Sequence, residues 1–234
     1  MQVVGVDGCP SGWVAAAVEL TSGNLTFGVF GTFAELAEAF PEADAIGVDI
    51  PIGLPLTAPR QADTEAKKLL PGKKAVVFPA PHPAIRHERV YQNAIEVSNA
   101  LIGKGLSKQG FAILPKIAEV NDFLTPQLQE RIFEVHPEVS FAALNGGKPI
   151  LAKKATPAGF AERYALLVER SGFSVVSDKF AASHIAPGMN VHADDMLDAI
   201  VAAWTAKRVA EGTAQGIPPE PEIGFRGLKA QIMY

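Results

Sequence analysis

Two triplets with the same letters, Gly5-Val6-Asp7 and Gly47-Val48-Asp49, each close a short apolar run and each precede a chain-turning segment. Three further aspartates, Asp194, Asp195 and Asp198, crowd the start of the stretch HADDMLDAIVAAWTA, His192 to Ala206. Carboxylates are the side chains that hold hard divalent cations such as Mg²⁺ and Mn²⁺. Grouped without a cation or donor between them, they repel and raise one another's pKa. The chemistry in prospect is therefore metal-assisted, provided the fold gathers these acids. If the two strands bearing the triplets are parallel neighbours, they lie about 4.8 Å apart. Both carboxylates then stand at the carboxyl edge of the sheet, where sites in such sheets collect.

The acid-rich helix can be set against that edge. Aspartate is poor inside a helix but useful at its start, where it caps free N–H groups and meets the positive end of the dipole. That explains Asp194, which we assign to the cap, and can extend to Asp195, but does not explain Asp198, about one turn further in. Met196, Leu197, Ile200, Val201 and Trp204 form a core-facing stripe, with the three acids on its flank. Asp195 and Asp198 are three apart and so are neighbours on that surface. Ala202, Thr205 and Ala206 further along are small enough to let another element approach. Packed on the sheet, this helix would bring Asp195 and Asp198 to Asp7 and Asp49. Four carboxylates are a suitable inventory for two divalent ions about 3.5–4 Å apart.

The elements that must do this positioning are legible in outline. QVVGVD (2–7), WVAAAVEL and LTFGVFG read as three strands joined by short turns, an antiparallel meander. TFAELAEAFPEA has helical spacing, with Thr32 as N-cap and Glu35 three residues on. AIGVDIPIGLP is a fourth strand, parallel to an earlier one with the helix as crossover. Residues from about 56 to 130 read as mostly helical with Pro/Gly turns, an insertion over one end of the sheet, and Pro115 kinks or splits one helix. RIFEVHP is a fifth strand, EVSFAALNGG and GFAERYALLVERSG are helices, and the tail IPPEPEIGFRGLKAQIMY adds a short strand or packs on the surface. The 234 residues read as a single α/β domain carrying that insertion between strands 4 and 5.

Bulk properties narrow the partners. A formal net charge of −4 argues against a surface built for charge-driven binding of long nucleic acid, though not against a local basic groove. No apolar run is long enough to span a membrane and the first residues lack a signal pattern, so a soluble, cytoplasmic protein is expected. The single cysteine, Cys9, has no partner for an internal disulfide and no basic neighbour in sequence, and reads as a small turn residue.

VVGVDGCPSGWVAAAVE, AIGVDIPIGLP, FEVHPEVSFAALNG followed by KK, and DDMLDAIVAAWTA occur here in the order of an uncharacterised prokaryotic family described as predicted RNase H-like nucleases, which the chain resembles over most of its length. The resemblance implies an RNase H-like fold, a mixed five-stranded sheet with helices on both faces. By similarity to the RuvC-like branch, Asp7 matches the first-strand acid, Asp49 the fourth-strand acid, and Asp195 and Asp198 the paired acids of the last helix. Asp49 is a departure, because RuvC-like nucleases usually have Glu there, with a longer reach. The implied activity is hydrolysis of phosphodiester bonds by two Mg²⁺ or Mn²⁺ ions, one activating water and one stabilising the departing 3′ oxygen. The implied partner is nucleic acid, whether DNA, RNA, hybrid or branched, and relatives that cut symmetrical substrates are homodimers.

Other residues carry two readings each. At the end of the fifth strand Glu134 would be a further ligand and His136 a proton carrier; a salt-bridged Glu and a hydrogen-bonded His beside a turn explain them equally well. Lys153, Lys154 and Arg163 would hold a phosphate, or form a basic loop and an exposed helix face. Arg60 and Asp63 would pair with each other. His82, His87, His184 and His192 lack ligand spacing and read as ordinary histidines. Two rival functions share the acids. An actin-like or sugar-kinase-like ATPase would use GVDGCPSG as a phosphate loop, but prolines stand where its second loop needs backbone N–H groups. The other is a non-catalytic protein that uses the acids for metal-dependent binding.

Overall fold

The computed structural model describes residues 1–175 and 189–234. Its centre is one mixed sheet in the order β3-β2-β1-β4-β5-β7-β6. β1 (Gln2–Cys9), β2 (Gly12–Glu19) and β3 (Asn24–Phe30) form the expected antiparallel meander. α1 (Phe33–Ala39) then crosses over to β4 (Ala45–Val48), which lies parallel to β1. Its start follows from local chemistry: the Thr32 hydroxyl accepts from the Glu35 N–H while the Glu35 carboxylate accepts from the Thr32 N–H, at 3.2 and 3.1 Å.

Between β4 and β5 (Ile132–Val135) come α2 (Gln61–Leu69), α3 (Tyr91–Ile102), α4 (Lys108–Ala112) and α5 (Leu114–Phe123). α4 and α5 part at Ile113, which leaves Pro115 in the first turn of α5, where its missing N–H costs nothing. Of these helices, α2 packs on the far strands of the sheet and α5 on α1. α6 (Pro137–Leu144), α7 (Pro157–Arg170) and α8 (Ala193–Ala210) complete the α-helices among the described residues.

The sheet has seven strands, not five. The tail folds into a hairpin of β6 (Gly216–Ile223) and β7 (Lys229–Met233), and β7 joins β5 in parallel. Pro218, Pro219 and Pro221 hid β6 from a reading by propensity. A strand with so few N–H donors is tolerated at a sheet edge, and β6 is at the edge.

Alternation along β1 and β4 divides the core. Val4, Val6, Ile46 and Val48 pack with α1 and α5 through Phe33, Leu36, Ile117 and Val120. Val3 and Ala45 face the other way, into a cluster with Leu197, Ile200 and Val201 of α8. By that period Gly5, Asp7, Gly47 and Asp49 lie on the α8 side.

Candidate metal centre

The two triplets are register partners. Gly5 pairs with Gly47 and Val6 with Val48, and the Asp49 N–H donates to the Val6 carbonyl at 2.9 Å. Their glycines have a packing reason. A Cβ on Gly5 would stand 2.0 Å from both the Ala199 carbonyl oxygen and the Ala203 nitrogen, and one on Gly47 would stand 3.0 Å from the Ala202 carbonyl oxygen. α8 therefore lies directly on β1 and β4, with Ala199, Ala202, Ala203 and Ala206 fully buried. Across its other side the Ser140 and Thr205 hydroxyls meet at 2.8 Å.

This close docking delivers Asp198 to the strand ends. One carboxylate oxygen from each of Asp7, Asp49 and Asp198 lies within 4.8 Å of the other two. Burial, and next the charges of Asp49 and Asp198, hold Asp7 well above the usual carboxylate range. Burial and then Asp198 push Asp49 up to about 8. Burial also lifts Asp198, to about 6, with Lys154 opposing it through a 2.6 Å contact. Although burial works against its own charge, Lys154 is held well above the ordinary lysine range by Asp198 and Asp7. Three acids face one ammonium, and a divalent cation would relieve the excess charge with the oxygen donors that Mg²⁺ and Mn²⁺ favour.

Asp195 stands outside this trio. Its carboxylate accepts from the His192 N–H at 3.1 Å, and burial raises its pKa. Asp194, the residue assigned to the cap, instead lies 3.7 Å from Lys154. The capping role therefore passes from Asp194 to Asp195, because the third helical residue reaches back to the cap N–H. Asp195 still lines the same cleft as the trio.

Glu134 is turned to Arg60, not to the acids. It accepts from Arg60 at 2.7 and 2.9 Å and from the Ile52 N–H at 2.7 Å, while Arg60 also bonds Asp63 at 2.5 Å and the Ile52 carbonyl at 2.7 Å. Asn121 accepts from the Gly53 N–H and donates to the Pro51 carbonyl. Together these contacts pin the loop that follows Asp49. Burial raises Glu134 in spite of Arg60. Arg163 is fully buried against Glu138, at 2.7 and 3.0 Å, so its guanidinium is not presented to a phosphate. His136 is half-buried at the start of α6; burial keeps it below the usual histidine range, and its Nδ1 is sealed without a partner among the described residues.

Lys153 is exposed and Lys154 partly so, and both line the cleft. Cys9 is buried, and burial pushes its thiol up. His82 accepts from the Ala84 N–H, His87 approaches Asp122 at 3.1 Å, and His192 precedes α8; His184 lies outside the described residues.

Two cleft residues escaped the sequence reading. Lys116 of α5 bonds the Gly12 carbonyl and sits 4.5 Å over the Trp13 ring, with burial pushing its pKa down. Phe78 lies in a Pro-rich turn with neither helical nor strand period, so no pattern marked it. The cleft encloses about 720 Å³ and runs from the acids to Phe78 and its neighbours.

Fold and site thus define a mixed α/β protein with an acidic cluster able to bind a metal ion at the carboxyl edge of its parallel strands. No helix among the described residues is long and apolar enough to cross a membrane. Residues 5–223 match the family described as protein of unknown function (DUF429), and the chain belongs to that family. No curated protein and no solved structure matches the chain.

Proposed function

We propose that this protein is a Mg²⁺- or Mn²⁺-dependent nuclease, hydrolysing phosphodiester bonds of nucleic acid in the manner of RNase H-like enzymes. The observation that carries the reading is the convergence of Asp7, Asp49 and Asp198, from two parallel strands and a helix, with oxygens within 4.8 Å. A mixed sheet with helices on both faces is compatible with the RNase H-like core implied by the sequence motifs, with the β6–β7 hairpin as an addition.

Asp7, Asp49 and Asp198 would hold the metal, with Asp195 next to them. Bound there, it would supply Lewis-acid activation of water and of the leaving oxygen. The remaining work falls to the chain. Lys154, ion-paired to Asp198 at 2.6 Å, would offset part of the negative charge that a phosphate brings to the acids. Arg60, Glu134 and Asn121 are positioning residues that fix the loop after Asp49. α8, set on Gly5 and Gly47, fixes Asp198.

The test is Mn²⁺ calorimetry on the wild type and Asp7→Asn, followed by a nuclease assay with and without chelator. Binding by the wild type, its loss in the variant and metal-dependent cleavage are expected. The Lys154–Asp198 ion pair favours one other reading, an acidic cluster satisfied by its own lysine. A wild type that binds no Mn²⁺ with or without an oligonucleotide would support that reading and overturn ours.

A further inference from the structure

Phe78 is out of place for an aromatic residue. Every other phenylalanine among the described residues packs into one of two hydrophobic clusters, and Phe78 belongs to none. It is half-buried and lines the cleft, whose wall also includes Val76, Pro79, Pro81 and Ile113. The same cleft is lined by the three acids. One cavity thus joins an apolar, aromatic wall to a metal-binding cluster.

Its size and charge limit what can enter. A cleft of about 720 Å³ is of the size that encloses a small ligand. Gripping a duplex backbone requires several free cations, and those lining this cleft are nearly all engaged. Arg60 is held by Asp63 and Glu134, Lys73 by Glu138 at 2.7 Å, Lys116 by the Gly12 carbonyl and Lys154 by Asp198. Only the exposed Lys153 lines it without a partner among the described residues. Aromatic faces, by contrast, bind any unpaired base by stacking, and a base inside a duplex has no free face to offer.

We infer that the cleft takes an unpaired nucleotide, its phosphoester at Asp7, Asp49 and Asp198 and its base stacked on Phe78. The inference rests on reading the acids as a phosphodiester site, and it names the substrate class: single-stranded, not duplex. A free nucleotide and an unpaired nucleotide in a strand share this chemistry.

The experiment is calorimetry of the Mn²⁺-loaded full chain with adenosine 5′-monophosphate and with ribose 5-phosphate, on the wild type, Phe78→Leu and Phe78→Tyr. Stacking on one aromatic residue corresponds to about tenfold or more in affinity. The wild type should therefore favour the nucleotide by about that factor. Leu should abolish the preference and Tyr should keep it, with Mn²⁺ affinity unchanged in both. Equal affinity for the two ligands, no nucleotide binding, or a preference that survives in Phe78→Leu would each overturn the inference. Fluorescence anisotropy with a short oligothymidylate and a blunt duplex separates the sources. A strand that binds more tightly than the mononucleotide points to nucleic acid, and the reverse to free nucleotides. A duplex that binds as well as the single strand overturns the inference. A base preference intact in a protein that cleaves nothing refutes the hydrolase reading alone.

Discussion

Replacing Asp49 by Asn should make the metal-free protein more stable, by a margin that grows as pH rises. Asp49 is the informative position because its carboxylate has no hydrogen bond or ion pair among the described residues, so the amide leaves no partner stranded. In the unfolded chain its pKa is that of a free aspartate, about 4; in the fold, burial and the charge of Asp198 push it to about 8. A folded-state pKa above the unfolded one means that the carboxyl destabilises the fold progressively as pH rises from about 4 through about 8. At about 1.4 kcal/mol per pH unit, the ceiling is roughly 5–6 kcal/mol. The cost is shared with Asp7 and Asp198, and water reaches the half-buried group. About 1–2 kcal/mol should therefore be recovered, or roughly 2–8 °C in Tm for a chain of this length. Thermal melts by circular dichroism in chelator, near pH 5 and again above pH 8, make the measurement. The gain should be several-fold smaller at the lower pH, which lies only about one unit above the unfolded pKa, so that most of the cost of holding the carboxyl neutral has yet to accumulate. Adding Mn²⁺ at the higher pH should raise the wild type more than the variant, because ligation favours the ionised acids. A gain of equal size at both pH values, or a loss at the higher one, would refute the charge-repulsion account of the cluster.

Gly5→Ala should cost about 3 kcal/mol or more in urea unfolding, because the new methyl meets the backbone of α8 at 2.0 Å and cannot be accommodated by a side-chain rotation. Gly8→Ala is the control: its methyl would meet only the flexible Lys116 stem, at 2.8 Å, and it should cost much less. Arg60→Met should cost about 3–5 kcal/mol, since Glu134 and Asp63 would be left buried and unpaired. Combining it with Glu134→Leu should recover part of that loss, as a double-mutant cycle would show.

The sequence by itself determined the features that depend on a few adjacent residues. The meander of β1 to β3, the Thr32–Glu35 cap, the break before Pro115 and the paired Gly-Val-Asp strand ends all follow from period, capping and turn chemistry, which act over one or two turns of chain. The acids were visible as well, because aspartate at matched strand ends and inside a helix has no local reason to be there. Tertiary structure alone decided which of them meet and what opposes them. Asp195 and Asp194 differ by one position, and only the geometry of the helix start gave one to the His192 N–H and the other to Lys154. Glu134 could not be told from a metal ligand until Arg60, 74 residues away, was placed against it. Arg163 was likewise legible as a basic helix residue, and only packing turned it inward onto Glu138. The edge strand β6 was hidden by its prolines, whose place at a sheet edge is a property of the assembled sheet. Phe78 sits in a turn whose residues have no period of their own, and only the packed fold makes it part of the cleft wall. Local propensity fixes elements over a few residues; pairing of charges and the walls of a cavity are fixed by contacts between segments far apart in the chain, and those exist only once the elements have packed.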